Sequence, residues 1–296
     1  MFLLVKGSER DHGSIQIGHF MNTHGKITFL ERRCSPPVRP FFRLGITLAG
    51  FFLWVLLQEF LSGFFNLTEN IIPNYAVAGF IALIVLFPLW KMVPEVAGRA
   101  GRKNGRIAAA ASAVLFIPFI VIALLSGLEY VGITSGWLLF AAALFLLAAS
   151  EEVICRGFMM DALSFRGCRL SGLLLSSLAF AMLHLSNSHA AFAGIVNIFL
   201  AGALFGFLRL VTDGLFYPIL AHWLWNLATG MVFGWNVSGH TLLPTIFRTT
   251  DHPPWGAFGP EESILMTIGT LGAIAVLIKK LYLSDNDALP GIHKIS

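Results

Sequence analysis

The chain has 296 residues, of which 20 are Lys or Arg and 16 are Asp or Glu, so charged residues make up only 12% of it. Soluble domains usually carry about 25% charged residues. Hydrophobic residues account for 56% of the chain, and the mean hydropathy is +0.76. Soluble globular, disordered and nucleic-acid-binding proteins are therefore poor matches, even though the pI is near 9.1. The composition predicts an all-α, polytopic integral membrane protein.

Eight apolar stretches are long enough to cross a membrane, which takes about 20 largely apolar residues. In chain order they occupy approximately residues 44–65, 71–90, 107–128, 131–163, 170–185, 190–208, 215–233 and 263–278. A short polar patch at 186–189 separates the fifth stretch from the sixth. We therefore expect about eight transmembrane helices, which together form one membrane domain.

Most Lys and Arg residues fall on one side of these spans. Eighteen of the 20 lie in residues 1–43, in loops of one parity or after the last span, whereas the opposite loops contain only Arg248. Positively charged loops stay in the cytoplasm, so we expect both termini to be cytoplasmic. The predicted parts are a polar N-terminal cytoplasmic tail (1–43), a membrane domain (44–283) and a C-terminal cytoplasmic tail (284–296). If the host is bacterial, the membrane is the plasma (inner) membrane.

The fourth span contains three charged residues, Glu151, Glu152 and Arg156. A charged side chain at the centre of a spanning helix costs at least ~2.5–3.5 kcal/mol, which makes such residues functional candidates. Glu152 and Arg156 are four residues apart, so they share a helix face and can pair, while Glu151 points about 100° away. A structural ion pair would explain Glu152 and Arg156. It explains Glu151 poorly, because one Arg cannot neutralise two buried carboxylates.

Further polar side chains occur on two later spans. His184 lies on the fifth span, and His222 and Asn226 lie four residues apart on one face of the seventh. Each of these alone is explained equally well by a hydrogen bond between helices. At about 1.5 Å of rise per residue they can meet Glu151 in the mid-to-cytoplasmic part of the bundle. A carboxylate beside imidazoles can activate a water molecule, and a histidine with an amide can stabilise an oxyanion. These are the parts of a hydrolase that uses no Ser or Cys nucleophile.

Three motifs in this region resemble those of the CPBP family of intramembrane proteases. Glu151-Glu152-Val-Ile-Cys-Arg156 is similar to its EExxxR motif, Phe180xxxHis184 to its FxxxH motif and His222xxxAsn226 to its HxxxN motif. The family includes the type II CAAX prenyl endopeptidases and similar bacterial proteins for bacteriocin processing, self-immunity and lysostaphin resistance. The resemblance covers about residues 135–230, which would form the catalytic core, and it implies a glutamate-type endopeptidase acting near the cytoplasmic membrane face.

The resemblance also implies roles for the catalytic residues. Glu151 would be the general base that activates water, with His184 assisting or orienting that water. His222 and Asn226 would form the oxyanion site. Arg156 would hold Glu152. The partners would be a peptide or protein substrate at the membrane and the lipid bilayer, and nucleic acid would not be a partner.

No cofactor is required by this interpretation, and Phe180 would simply line the pocket. Two Glu and two His could also bind zinc, so metal dependence stays open, although the chain contains no HExxH motif. Cys155 is expected to be inert packing, and Asn197 is expected to bond a neighbouring helix. Three further histidines are predicted to lie on the outer side, away from the site: His189, His240 and His252.

Two other functions remain as alternatives. A non-catalytic immunity or scaffold protein of the same fold would act by binding a partner. A transporter or proton relay would use the same carboxylates and histidines, but the chain lacks two matching halves with Gly- or Pro-interrupted helices. The endopeptidase therefore remains the leading hypothesis.

Overall fold

The computed structural model describes residues 104–164, 168–242, 244–249 and 255–287, together with the helical residues 45 and 49. The N-terminal tail, nearly all of the first two predicted spans and most of the C-terminal tail lie outside the described residues. The other six predicted spans are all represented by helices.

The described part of the chain is predominantly helical, as predicted. Its elements in chain order are α1 (Gly105–Leu125), β1 (Leu128–Tyr130), α2 (Trp137–Glu152), a first π-helical segment (Val153–Met159), α3 (Met160–Ala162), α4 (Arg169–Leu183), α5 (Phe192–Thr212), α6 (Phe216–Asn226), a second π-helical segment (Leu227–Val232), β2 (Phe247–Thr249), a 3-10 turn (Pro260–Glu262) and α7 (Ile264–Asp287).

Four of these helices are long and apolar enough to cross a membrane. They are α1, α2 with its continuation to Ala162, α5, and α7 as far as Leu283. Helix α4 is also apolar but has only 15 residues. These helices indicate an integral membrane protein. The total of eight spans and the cytoplasmic placement of both termini stay predictions.

A small β-sheet interrupts the predicted all-helical pattern. Strands β1 and β2 pair antiparallel, with Glu129 opposite Arg248. The chain leaves α1 through Gly127, whose φ of 65° is a left-handed conformation that favours glycine. The third span therefore ends earlier than expected, and the fourth begins at Trp137 rather than near residue 131. Part of the predicted outer loop is β2.

Helix α5 is the centre of the described bundle, because it packs against α4, α6 and α7, while α1 packs on α7 and α2 packs on α6. Two glycines let α4 approach α5 closely. A Cβ at Gly202 would lie 3.1 Å from the Ser177 Cα, and one at Gly206 would lie 2.8 Å from the Leu173 Cγ. Small residues at such positions are typical of helix packing in membranes. Helices α4 and α5 also pack against the first π-helical segment, which continues α2.

Candidate active site

The base of the site is an ion pair at the end of α2. Glu152 is the last residue of that helix, and Arg156 lies in the first π-helical segment, which continues it. Arg156 Nη1 donates to Glu152 Oε1 at 3.0 Å, and both side chains are fully buried. The pairing expected from their spacing is confirmed.

His222 of α6 connects the two carboxylates. Its Nδ1 lies 2.9 Å from Glu152 Oε1, the same oxygen that accepts from Arg156. An ionised carboxylate can only accept, so the hydrogen of this bond belongs to Nδ1 of His222. Nε2 on the other side of the ring lies 3.8 Å from Glu151 Oε2. That distance is longer than a hydrogen bond, and the Glu151 side chain is 22% exposed whereas that of Glu152 is fully buried.

The charges of these four residues balance only with one extra proton. Two carboxylates and one guanidinium leave a net charge of −1 if His222 is neutral and Glu151 is ionised. An uncompensated buried charge is strongly unfavourable. A proton on His222 Nε2 or on Glu151 makes the cluster neutral. Charge balance therefore calls for one proton where His222 and Glu151 face each other, at the more exposed end of the cluster.

Two phenylalanines surround the cationic side of the cluster. The Arg156 Cζ lies 4.4 Å from the ring centroid of Phe180 on α4 and 5.3 Å from that of Phe205 on α5. Within the described residues, Nε and Nη2 of Arg156 have no hydrogen-bond partner, so cation–π contact replaces part of the lost hydration. Phe205 also stacks on the His222 ring, with centroids 5.1 Å apart and planes 15° apart. The sequence analysis did not find Phe205.

His184 follows the last turn of α4 and is half-buried. Its Nδ1–H donates to the carbonyl oxygen of Phe180 at 2.8 Å, which leaves Nε2 for another partner. His184 interacts electrostatically with His222 and Arg156. Within the described structure, however, no hydrogen bond or ion pair joins it to Glu151. His184 therefore reaches the cluster through Phe180 and not through the carboxylate it was expected to assist.

Asn226 lies one turn after His222, at the end of α6, and is 8% exposed. No hydrogen bond joins it to the other predicted site residues in the part of the chain that the structure describes. The structure thus brings Glu151, Glu152, Arg156 and His222 into direct contact. It places His184 and Asn226 beside them, on the two neighbouring helix ends.

Two of the three helices that carry motifs, α2 and α6, change to π-helical geometry directly after their polar residues. The first π-helical segment begins after Glu152, and the second begins after Asn226. Single π-helical turns inside α-helices are frequent at functional sites. They widen the helix locally, and the periodicity of the sequence gives no sign of them.

His240 lies in the connection between the second π-helical segment and β2. His240 closes a tight turn with Val237, in which each backbone N–H donates to the other residue's carbonyl oxygen. Asn187 Nδ2 donates to the Ser238 carbonyl at 3.0 Å and so ties this turn to the connection after α4. His240 consequently lies within electrostatic range of His184. Burial lowers the pKa of His240.

The sequence analysis also missed Glu261, in the 3-10 turn before α7. Its side chain is buried, and its Oε1 accepts a hydrogen bond from the Trp225 Nε1 at 2.9 Å. Burial raises the pKa of Glu261 to about 7. Asn197 of α5 donates to the Glu261 carbonyl oxygen and accepts from Thr267 of α7, which confirms that it bonds a neighbouring helix. An acidic pair directly before an apolar run was the signal that could have identified Glu261.

Cys155 lies in the first π-helical segment, directly before Arg156. Cys155 is 1% exposed and packs in an apolar cluster with Phe180 and Phe258.

Among the described residues, no group of three or more His, Cys, Asp or Glu side chains is arranged to hold a metal ion. One oxygen of Glu152 is already shared by Arg156 and His222.

The fold and the buried Glu–Arg–His cluster define a helical membrane protein with a hydrolase-like polar site. Residues 133–228 match the family model described as type II CAAX prenyl endopeptidase Rce1-like. The match contains all six predicted site residues and agrees with the resemblance seen in the sequence. Members of the Rce1-like family are peptidases. No curated protein and no solved structure matches the chain.

Proposed function

We propose that the protein is an intramembrane endopeptidase that hydrolyses a peptide bond with a water molecule activated by Glu151. The observation that carries this proposal is the position of His222. Its Nδ1 is held by the buried Glu152, while its Nε2 faces the more exposed Glu151 at 3.8 Å. A carboxylate and an imidazole edge placed in this way can exchange a proton with a molecule bound between them. The type II CAAX prenyl endopeptidase family of residues 133–228 supports the same reaction class.

The reaction requires no covalent enzyme intermediate. Glu151 takes a proton from water as the water oxygen attacks the carbonyl carbon of the scissile bond. The carbonyl oxygen gains a negative charge, which His222 Nε2–H and the Asn226 amide stabilise by hydrogen bonding. Glu151 then passes its proton to the departing amine nitrogen as the carbon–nitrogen bond breaks. The products are a carboxylic acid and an amine.

The remaining residues keep His222 in its reactive orientation. Glu152 fixes the hydrogen on Nδ1, and its negative charge stabilises the imidazolium that donates from Nε2. Arg156 holds Glu152 in place through their ion pair and is itself enclosed by Phe180 and Phe205. His184, with Nδ1 occupied by the Phe180 carbonyl, has Nε2 available to orient the attacking water. The proposed mechanism uses no metal ion.

The proposed substrate is a peptide or protein segment at the cytoplasmic face of the membrane. Apolar side chains are exposed on the outer faces of the helices, for example Leu125 at 78% and Leu138 at 77%. Such faces are suited to lipid, so we infer that a lipid-associated or prenylated segment reaches the site from the bilayer.

The test is cleavage of a membrane-peptide library by the purified protein in lipid nanodiscs. We expect Glu151→Gln to lower the cleavage rate by at least about 100-fold, as loss of a general base does. Glu129→Gln is the matched control, because Glu129 is an exposed carboxylate on β1 and should leave the rate unchanged. Chelator should have no effect.

Three outcomes would contradict parts of the proposal. Cleavage that survives Glu151→Gln would exclude Glu151 as the base. Cleavage that chelator abolishes would instead make the histidines metal ligands. A protein that binds a crosslinked membrane partner equally well with and without Glu151, and that does not cleave it, would be a scaffold and not an enzyme.

A further inference from the structure

Glu261 is a buried carboxyl group that the proposed mechanism does not use. Its side chain is 1% exposed, and Trp225 is the one side chain among the described residues that donates a hydrogen bond to it. Burying a carboxyl group is costly even where hydrogen bonds satisfy part of it. Its position therefore needs a reason beyond packing, because an apolar residue of similar size would avoid that cost.

The backbone of Glu261 is fixed firmly to the centre of the bundle. Asn197 Nδ2 donates to the carbonyl oxygens of Glu261 at 2.7 Å and Ser263 at 3.0 Å. The Asn197 Oδ1 accepts from Thr267 at 2.8 Å. Asn197 lies on α5, two turns before Phe205, which stacks on His222. Glu261 is thus held by the same helix that supports the catalytic histidine.

The side chain of Glu261 links this fixed backbone to α6. Its Oε1 accepts from the Trp225 Nε1 at 2.9 Å. Trp225 lies three residues after His222 and one before Asn226, and its ring packs edge-on against Phe119 at 4.7 Å. This hydrogen bond and the contacts of the Trp225 ring with Phe119 and Phe116 therefore constrain the rotation of α6 at the turn that carries both proposed oxyanion donors.

Small rotations of α6 have large effects at the site. Side chains extend about 5–6 Å from a helix axis, so a rotation of about 10° moves the His222 ring by about 1 Å. A misplacement of about 1 Å can lower a catalytic rate by on the order of 100-fold. The Nε2 of His222 is separated from Glu151 by 3.8 Å and makes no direct hydrogen bond to it. The Glu152 bond fixes only the Nδ1 edge of the ring, so the position of Nε2 also depends on the rotation of α6.

We propose that Glu261 is a positioning residue for the cleavage reaction: by accepting the Trp225 hydrogen bond it fixes the rotation of α6 and holds His222 and Asn226 against the carboxylates of α2. This inference rests on the proposed endopeptidase function. It adds a contribution from outside residues 133–228, the part of the chain that matches the peptidase family.

The experiment compares variants that keep or remove one hydrogen bond. Glu261→Gln keeps a carbonyl oxygen as acceptor, Glu261→Leu removes it at similar volume, and Trp225→Phe removes the donor. We expect the Leu and Phe variants each to lower kcat about 10- to 100-fold with KM nearly unchanged. The Leu–Phe double variant should be no worse than either single one, and Glu261→Gln should recover most of the rate. Glu262→Leu, at the neighbouring half-buried carboxylate, is the control.

A second readout does not depend on activity. In protein with 15N-labelled histidine, the ring nitrogens of His222 should shift in Glu261→Leu and Trp225→Phe but not in Glu262→Leu. Unchanged His222 signals would overturn the inference whatever the activity. If the wild type shows Glu151-dependent cleavage and Glu261→Leu cleaves as well as it does, the inference fails while the proposed function stands. If the wild type shows no Glu151-dependent cleavage, the proposed function fails and the His222 signals alone decide the geometric claim.

Discussion

Two adjacent carboxylates at the end of α2 have opposite surroundings. Glu152 is fully buried, with Arg156 and His222 bound to one oxygen, whereas the Glu151 side chain is 22% exposed and has no hydrogen bond to His222. The first arrangement fixes an ionised group in place. The second leaves a group free to exchange a proton. The different tasks proposed for the two residues follow from this difference.

The contrast leads to a prediction about stability. Glu152→Gln removes the charge that compensates buried Arg156, so we expect it to lower the free energy of unfolding by about 3–5 kcal/mol. Glu151→Gln should change it by less than about 1 kcal/mol, since the described residues make no hydrogen bond to the Glu151 side chain and that side chain is 22% exposed. Both values come from reversible unfolding in detergent micelles. Equal losses in the two variants would show that Glu151 is also structural.

The stacking of Phe205 on His222 leads to a prediction about catalysis. Its ring stacks on His222 and also faces Arg156, so Phe205→Leu removes the flat surface that limits tilting of the imidazole. We expect kcat to fall about 10-fold through misorientation of His222. Phe207→Leu, a half-buried phenylalanine on the same helix, should leave kcat unchanged. Similar rates for the two variants would mean that Glu152 alone orients His222.

The spacing of residues in the sequence predicted the contact between Glu152 and Arg156 but not the contacts of Phe205. The i,i+4 rule was enough to pair Glu152 with Arg156. Phe205 could not be singled out because it is one of 27 phenylalanines in the chain, and any of them on an apolar helix is first of all a packing residue. Its role depends on the rotation of α5 against α6, which only the tertiary structure determines.

At the level of helices, the contact between α4 and α5 decides how closely Arg156 is enclosed. A Cβ at Gly202 would lie 3.0 Å from the Arg156 Nη2 and 3.1 Å from the Ser177 Cα. A side chain there would press against both the neighbouring backbone and the buried cation. Gly202 is therefore required for the ion pair as well as for helix packing.

Gly202→Ala tests this requirement, because the free energy of unfolding should fall if Gly202 is required and rise if it is not. Alanine is favoured over glycine in a helix by about 1 kcal/mol, so an unhindered substitution would stabilise the protein. We expect instead a loss of about 1–3 kcal/mol, typical of overpacking, together with reduced cleavage. Gly272→Ala on α7 is the control, because its Cβ would meet only a methyl group of Val114. Stabilisation by Gly202→Ala would show that α4 and α5 can separate without cost.

The existence of the described helices was easier to predict than their ends and their inner geometry. Apolar runs near residues 107–128 and 215–233 identified α1 and α6. The π-helical segments after Glu152 and Asn226 left no trace in the hydrophobic pattern. Helix α7 continues past Lys279 and Lys280 to Asp287, since lysine is a good helix former that can extend its charge toward water.

Across the whole molecule, the site extends beyond the segment that carries the motifs. Residues 133–228 match the peptidase family, yet His240 and Glu261 come from the later connection between the second π-helical segment and α7. That connection folds back so that His240 lies near His184 and Glu261 binds Trp225. The sequence motifs end at Asn226. The later connection carries no motif, so the sequence predicted only that it forms an outer loop.

The buried carboxyl group of Glu261 should make the stability of the whole fold depend on pH. Burial raises the pKa of Glu261 to about 7 from the ordinary value of 4.5, against smaller opposing effects of the Trp225 hydrogen bond, two backbone amides and His222. Between these two values the folded state holds a proton that the unfolded state has released. The stabilisation is therefore complete below about pH 4.5 and is lost as the pH rises through about 7.

Glu261→Gln should abolish this dependence. The shift corresponds to about 3 kcal/mol, so wild type and variant should have similar free energies of unfolding at pH 5, and the variant should be more stable by up to that amount at pH 8. The lowered pKa of His240 acts in the opposite direction, because that group destabilises the fold as the pH falls, but it is present in both proteins and cancels in the difference. Unfolding at pH 5, 6, 7 and 8 in the same lipid or detergent measures the two curves. Parallel curves would mean that Glu261 stays ionised in the folded protein.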